Sequence, residues 1–128
     1  MPLPECGGTQ RAILVVEDHD AVRRFVTQSL QHAGYTTFDA ANAADALNLV
    51  RAHADSIALA IVDMVMPDMN GLDLAVEIER VRSGISILFT SGHVSSIAIQ
   101  GMSESSPQHV LTKPFSEREL LAHVTALL

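Results

Sequence analysis

The sequence predicts a three-layer α/β fold, a parallel β-sheet with helices packed on both faces. Two observations predict it. Short apolar runs rich in β-branched residues alternate five times with stretches of helical period, and a parallel pair needs a crossover helix that buries its stripe on the sheet. The runs also end on polar residues, so the apolar side chains lie before the strand ends and the chemistry lies at them.

Residues 1–10 carry Pro2, Pro4 and the pair Gly7-Gly8, the punctuation of a leader or linker, which leaves 11–128 as the expected domain. The first strand is Ala12 to Val16. Val22, Phe25, Val26, Leu30 and Ala33 then share a helical stripe that stops at Gly34. Tyr35 to Phe38 reads as a weaker, two-sided strand. Asn42, with Asp45 three residues on, caps a helix through Ala46, Leu47, Leu49 and Val50. Ile57 to Val62 is a buried strand, followed by a helix whose stripe is Leu74, Ala75, Ile78 and Val81. Ile85 to Phe89 and Val110-Leu111 are the last two strands, separated by a short helix over Ser96 to Gln100 and a polar loop. In the final helix Ser116 and Glu119 form a capping box, Phe115 and Leu120 occupy staple positions, and Leu121, Val124 and Leu128 continue the stripe.

A chain of 128 residues has the size of one domain, and 48% apolar with 18% charged residues is the balance of a packed globular protein. The net charge of −7 and the lack of any Lys/Arg cluster leave nothing to attract nucleic acid or an anionic membrane surface. No apolar run approaches the ~20 residues that span a bilayer, and Met1-Pro2-Leu3-Pro4 has no secretory pattern. Cys6 is the sole cysteine, so no internal disulfide forms and a cytoplasmic setting is expected.

In an open parallel sheet, ligands bind beyond the carboxyl ends of the strands. There the first run delivers Glu17-Asp18, the third Asp63, the fourth Thr90 and the fifth Lys113. Three carboxylates at one edge repel each other and call for a cation. Oxygen donors without thiolate or imidazole suit magnesium, or manganese, better than zinc. Lys113 is the only lysine and precedes Pro114, so it reads as a fixed point charge for Asp63 or for a phosphoryl oxygen. Asp63 ends the middle strand and is the expected nucleophile of a phosphoryl transfer, in which the transferred oxygens need neutralisation more than a base.

These residues resemble a known family: Leu14-Val15-Val16-Glu17-Asp18, Val62-Asp63-Met64-Val65-Met66-Pro67-Asp68-Met69-Asn70-Gly71, Phe89-Thr90-Ser91-Gly92 and Thr112-Lys113-Pro114-Phe115 look like the four motifs of a response-regulator receiver, in order. The resemblance runs from about Ala12 to the C-terminus. It implies a flavodoxin-like fold with strand order 2-1-3-4-5 and phosphorylation on Asp63. It also implies a metal shell of Asp18, Asp63, Glu17 through water and the Val65 carbonyl, with Thr90 and Lys113 holding the phosphoryl group. The implied donor is a phosphohistidine on a sensor histidine kinase or a histidine phosphotransfer protein, and a homodimer through the fourth and fifth helices is a family arrangement. The wording Phe89-Thr90-Ser91-Gly92-His93 is similar to receivers of hybrid sensor kinases, so the chain reads as a stand-alone regulator or as the receiver of a larger kinase.

Departures from the pattern are Glu17 where many members carry Asp, Val110 where an aromatic switch often stands, and Val65 and Gly92 at positions that tune phosphate lifetime. A phosphatase of the haloacid-dehalogenase type uses similar parts but expects an acid where Val65 stands, and it needs room for a cap domain. Asp68 and Asp73 read as capping or solvating the turn and helix around Asn70-Gly71 rather than as metal ligands. Met64, Met66, Met69 and Met102 read as gap fillers. The six histidines lack metal-ligand spacing. Ser91 and His93 lack a nucleophile elbow.

Overall fold

Alternation of apolar and amphipathic stretches resolves into nine elements in a computed structural model that describes residues 11–92 and 109–128. They are β1 (Ala12–Val16), α1 (Asp20–His32), β2 (Thr36–Ala40), α2 (Ala43–His53), β3 (Ile57–Asp63), α3 (Gly71–Val81), β4 (Ser86–Ser91), β5 (His109–Thr112) and α4 (Glu117–Leu127). The helix expected over 96–100 and the leader over 1–10 lie outside the described residues. All strand pairs are parallel, and the sheet runs β2-β1-β3-β4-β5, the expected order.

Because successive strand side chains face opposite ways, β1, β3, β4 and β5 each feed two cores. Leu14, Val16, Ala60, Val62 and Phe89 pack with Ala46, Val50, Leu74 and Ile78 of α2 and α3. Ile13, Val15, Leu59, Ile61, Leu88 and Leu111 pack with Val26, Leu30, Leu120 and Val124 of α1 and α4. β1 is buried along its whole length, as a strand covered by helices on both sides must be.

Caps fix the helix boundaries. The Asn42 side chain accepts the Asp45 N–H at 2.8 Å, the Asn70 side chain accepts the Asp73 N–H at 2.9 Å, and Ser116 with Glu119 makes the reciprocal box. Gly34 follows α1 at φ 96°, a left-handed conformation that a side chain would resist.

Two expectations shift. β2 starts one residue later than Tyr35 and runs on to Ala40, because its pairing with β1 continues through Asp39 and Ala40. The α1 stripe is narrower than its apolar residues suggest: Val26, Ser29 and Leu30 are buried, while Phe25 lies at the edge, exposed and tilted against Phe115 with ring centroids 6.1 Å apart.

Candidate functional site

Strand parity assembles the site before any side-chain contact does. Ile13 and Val15, Leu59 and Ile61, Leu88, and Leu111 face the α1/α4 core. Two residues further along each strand stand Glu17, Asp63, Thr90 and Lys113, which therefore continue the same face beyond the apolar layer. Register aligns them as well: Val16 pairs with Val62, Asp63 with Thr90, and Ser91 with Thr112. The Lys113 N–H then donates to the Ser91 carbonyl at 2.8 Å, anchoring the residue that carries the amine. The peptide between Lys113 and Pro114 is cis.

Lys113 Nζ donates to Glu17 Oε1 at 2.8 Å and to Asp63 Oδ2 at 3.3 Å. Both carboxylates are almost fully enclosed, with 4% and 7% of their side-chain surface exposed, against 22% for the lysine. The other oxygens are held by backbone. Glu17 Oε2 accepts the His19 N–H at 3.1 Å, and Asp63 Oδ1 accepts the Val65 N–H at 3.2 Å. Thr90 is buried beside Asp63. Val65 exposes its side chain.

Burial is the largest influence on Glu17 and pushes its carboxyl above the ordinary glutamate value; the charge of Asp63 adds to this, and hydrogen bonds from Lys113 and His19 oppose it. Burial also disfavours the Lys113 ammonium, but the hydrogen bonds and charges of Glu17 and Asp63 outweigh it and hold the amine above the ordinary lysine value.

Glu17, Asp18 and Asp63 each offer a carboxylate oxygen, and these oxygens lie within 4.8 Å of one another. Asp18 is the exposed member. Three acids face a single ammonium, so the cluster keeps an excess of negative charge, and its donors are all hard oxygens. Such a set fits magnesium or manganese and lacks the thiolate or imidazole that zinc favours.

Neighbouring residues fix this geometry, and the contacts of three of them escaped the sequence reading. Arg23 of α1 donates to the Glu17 carbonyl at 2.9 Å, to Asp20 at 2.7 Å and to Asp39 of β2 at 3.1 Å, which fastens the turn carrying the acid pair. Asp68 does not cap α3; it accepts the Ala43 N–H at 3.0 Å and the Ala44 N–H at 3.2 Å, tying the β3–α3 loop to the start of α2. Gly71 packs against the end of β3, where a Cβ would collide with the Asp63 carbonyl oxygen and come 2.7 Å from Met64 Cα. Its glycine was legible in the motif, but the contact that demands it was not. Lys113 was expected on Asp63, and its shorter bond to Glu17 was not foreseen.

Beside the acids, Ala21, Val22, Phe25, Lys113, Pro114 and Phe115 line an open apolar recess of ≈ 270 Å³. No helix among the described residues is long and apolar enough to cross a membrane.

A family model described as response regulator receiver domain matches residues 13–125. The chain is 32% identical over 116 residues to the sensor kinase CckA of Brucella abortus, a match covering 91% of this chain and 12% of that protein. It is 38% identical over 117 residues to a transcriptional regulatory protein of Bacillus subtilis, YrkP, covering 91% of this chain and 48% of that protein. The chain thus spans about half or less of the length of the curated relatives it matches. Among solved structures, the chemotaxis protein CheY4 of Vibrio cholerae superposes with a TM-score of 0.83 at 27% identity, covering 94% of this chain and all of that one (100%). The receiver domain of the hybrid histidine kinase CckA superposes with a TM-score of 0.79 at 29% identity, covering 91% of this chain and 98% of that one.

Proposed function

The chain belongs to the response regulator receiver family, domains of two-component signalling that are phosphorylated on aspartate, and from that premise we propose that Asp63 is the acceptor here. One observation carries the reading: the Asp63 carboxylate has an ammonium 3.3 Å away and offers an oxygen within 4.8 Å of carboxylate oxygens from Glu17 and Asp18. An Asp63 oxygen attacks the phosphorus of a phosphohistidine, the new O–P bond forms as the P–N bond breaks, and the imidazole nitrogen leaves with the bonding pair and takes up a proton. Lys113 and the Thr90 hydroxyl hold the phosphoryl oxygens, which gather charge as the transfer proceeds.

Asp18 and Asp63 would hold magnesium directly, Glu17 would do so through a water, and the Val65 carbonyl would complete the protein share of the shell; manganese could substitute. The metal, when bound, neutralises acceptor and phosphoryl charge together. The donor is a sensor histidine kinase or a histidine phosphotransfer protein, and the apolar recess bordered by Lys113 supports the approach of such a partner beside the acceptor. The chain acts as a phosphoacceptor signalling domain that at most assists its own phosphorylation and dephosphorylation. The domain occupies 11–128, preceded by a leader or linker over 1–10, in a cytoplasmic setting. It is a stand-alone regulator or the receiver of a hybrid kinase, with a homodimer through the helix expected over 96–100 and α4 as its assembly.

Incubation with acetyl phosphate and magnesium, followed by intact-mass measurement, tests the reading. The native chain gains one phosphoryl group and Asp63→Asn gains none. An adduct on both, or on neither, would sink it.

A further inference from the structure

A second concave site lies at the opposite edge of the sheet, outside the amino ends of β1 and β3, which are neighbouring strands. Arg11 and Ser56 reach it from the residues just before those strands, Arg82 from the end of α3, and Leu127 and Leu128 from the end of α4. Its volume is ≈ 360 Å³, near the lower end of the ~300–1,000 Å³ usual for small-molecule sites. The walls are tied in place. The Ala12 N–H donates to the Ser56 carbonyl at 2.8 Å, Ser86 Oγ to the Leu127 carbonyl at 3.2 Å, and Arg82 Nε to the Ile57 carbonyl at 3.2 Å.

Arg82 Nη1 also donates to the Ser83 carbonyl at 3.3 Å, so backbone oxygens hold part of the guanidinium while Nη2 has no partner among the described residues. An arginine at the end of a helix commonly serves the carbonyls there. That role leaves Nη2 unused, and it does not account for Arg11 or Asp55. Both of these line the cavity and are exposed, yet neither side chain makes a hydrogen bond or ion pair among the described residues, not even with the other. The rest of the lining is aliphatic. Ala58, Leu127 and Leu128 are each half-buried and present carbon to the same space.

Two guanidiniums call for an oxyanion, a free carboxylate calls for a cation, and an aliphatic wall calls for an alkyl group. We infer that this cavity binds a small zwitterion bearing an aliphatic group, the chemistry shared by a free amino acid and a short peptide, with its carboxylate on Arg82 and Arg11, its ammonium on Asp55 and its alkyl group on Ala58, Leu127 and Leu128. Asp63 lies at the other end of β3 from Ile57, so this binding stands apart from the phosphoacceptor reading.

Amide resonances of the isotope-labelled full chain, followed through titrations with leucine, leucyl-leucine, leucinamide and isocaproate, test it. Leucine or leucyl-leucine should move the amides of Arg11, Asp55, Ser56, Arg82 and Leu128 to saturation, and the tighter of the two tells a free amino acid from a peptide as the source. Leucinamide lacks the carboxylate and isocaproate the ammonium, so each should bind about tenfold more weakly than leucine, the scale of one lost charge-assisted hydrogen bond. Asp55→Asn, a change at an exposed side chain, should bring leucine down to the level of isocaproate, and Arg11→Gln should weaken both. The inference is overturned if neither zwitterion binds saturably, if the shifts fall on other residues, if leucinamide binds as well as leucine, or if the preference for leucine over isocaproate survives Asp55→Asn. Adduct formation on Asp63 is measured separately, and its outcome bears on the acceptor alone.

Discussion

The Asp68 carboxylate accepts the N–H of Ala43 at 3.0 Å, although the two residues stand 25 positions apart and on different elements. A second bond from the Ala44 N–H at 3.2 Å makes Asp68 an additional cap of α2 beside Asn42, supplied from the loop that leaves the acceptor strand. These N–H donors depress the Asp68 carboxyl below the ordinary aspartate value. A depressed acid contributes stability that is present above its unfolded value, 3.8, and is lost as pH falls through the folded one. Asp68→Ala should melt at a lower temperature than the native chain at neutral pH, and the difference should close in acid. Thermal melts across that range check it, and a gap that widens in acid contradicts the cap.

Lys113 gives the opposite sign. Its ammonium is held above the ordinary lysine value, so its contribution is complete below 10.5 and is lost as pH rises through the folded value. Lys113→Met leaves Glu17 and Asp63 enclosed without a counter-charge, and should cost about 2 kcal/mol near neutrality, less than a fully buried pair because the amine keeps some contact with water. Denaturant midpoints of the metal-free proteins should converge in strong alkali.

A side chain at Gly71 would press on the backbone of the acceptor. Gly71→Ala should destabilise the domain by about 1–3 kcal/mol, since the collision is with backbone that cannot swing aside. The Asp63 carbonyl is what must move, so phosphorylation by acetyl phosphate should slow beyond what the loss of folded protein explains. Urea unfolding together with initial rates of adduct formation separates the two effects.

Asp18 is exposed and should matter for metal rather than for folding. Magnesium at a hundredfold excess over Kd should stabilise the native chain by about 2.7 kcal/mol, and a chelator should remove that gain. Asp18→Asn should match the native melt without metal and lose most of the gain with it.

The capping box of Ser116 and Glu119 predicts that Ser116→Ala lowers stability by about 1 kcal/mol. Magnesium affinity should not follow, because the box lies at the start of α4 and none of its groups reaches the acid cluster. A parallel loss of metal binding would show that α4 supports the Lys113 loop more directly than its contacts indicate.

Local pattern determined much of this protein on its own. Period-two and 3.6-residue hydrophobicity is written in neighbouring residues, so the strands, the α2 and α4 caps at Asn42 and Ser116, and the placing of Glu17, Asp18, Asp63, Thr90 and Lys113 at strand ends were all legible. Phe25 and Ser29 were not, because a stripe shows which side chains are apolar and leaves open how wide a face the neighbouring helix covers. Contacts between residues far apart in sequence carry no local signature. Tertiary structure alone decided that Asp68 joins Asn42 at the start of α2, that Arg23 fastens the Glu17 carbonyl, and that Lys113 leans on Glu17 more closely than on Asp63. Each of those choices turns on where a flexible polar side chain finds an oxygen across strands or loops, a distance that the order of residues along the chain does not specify.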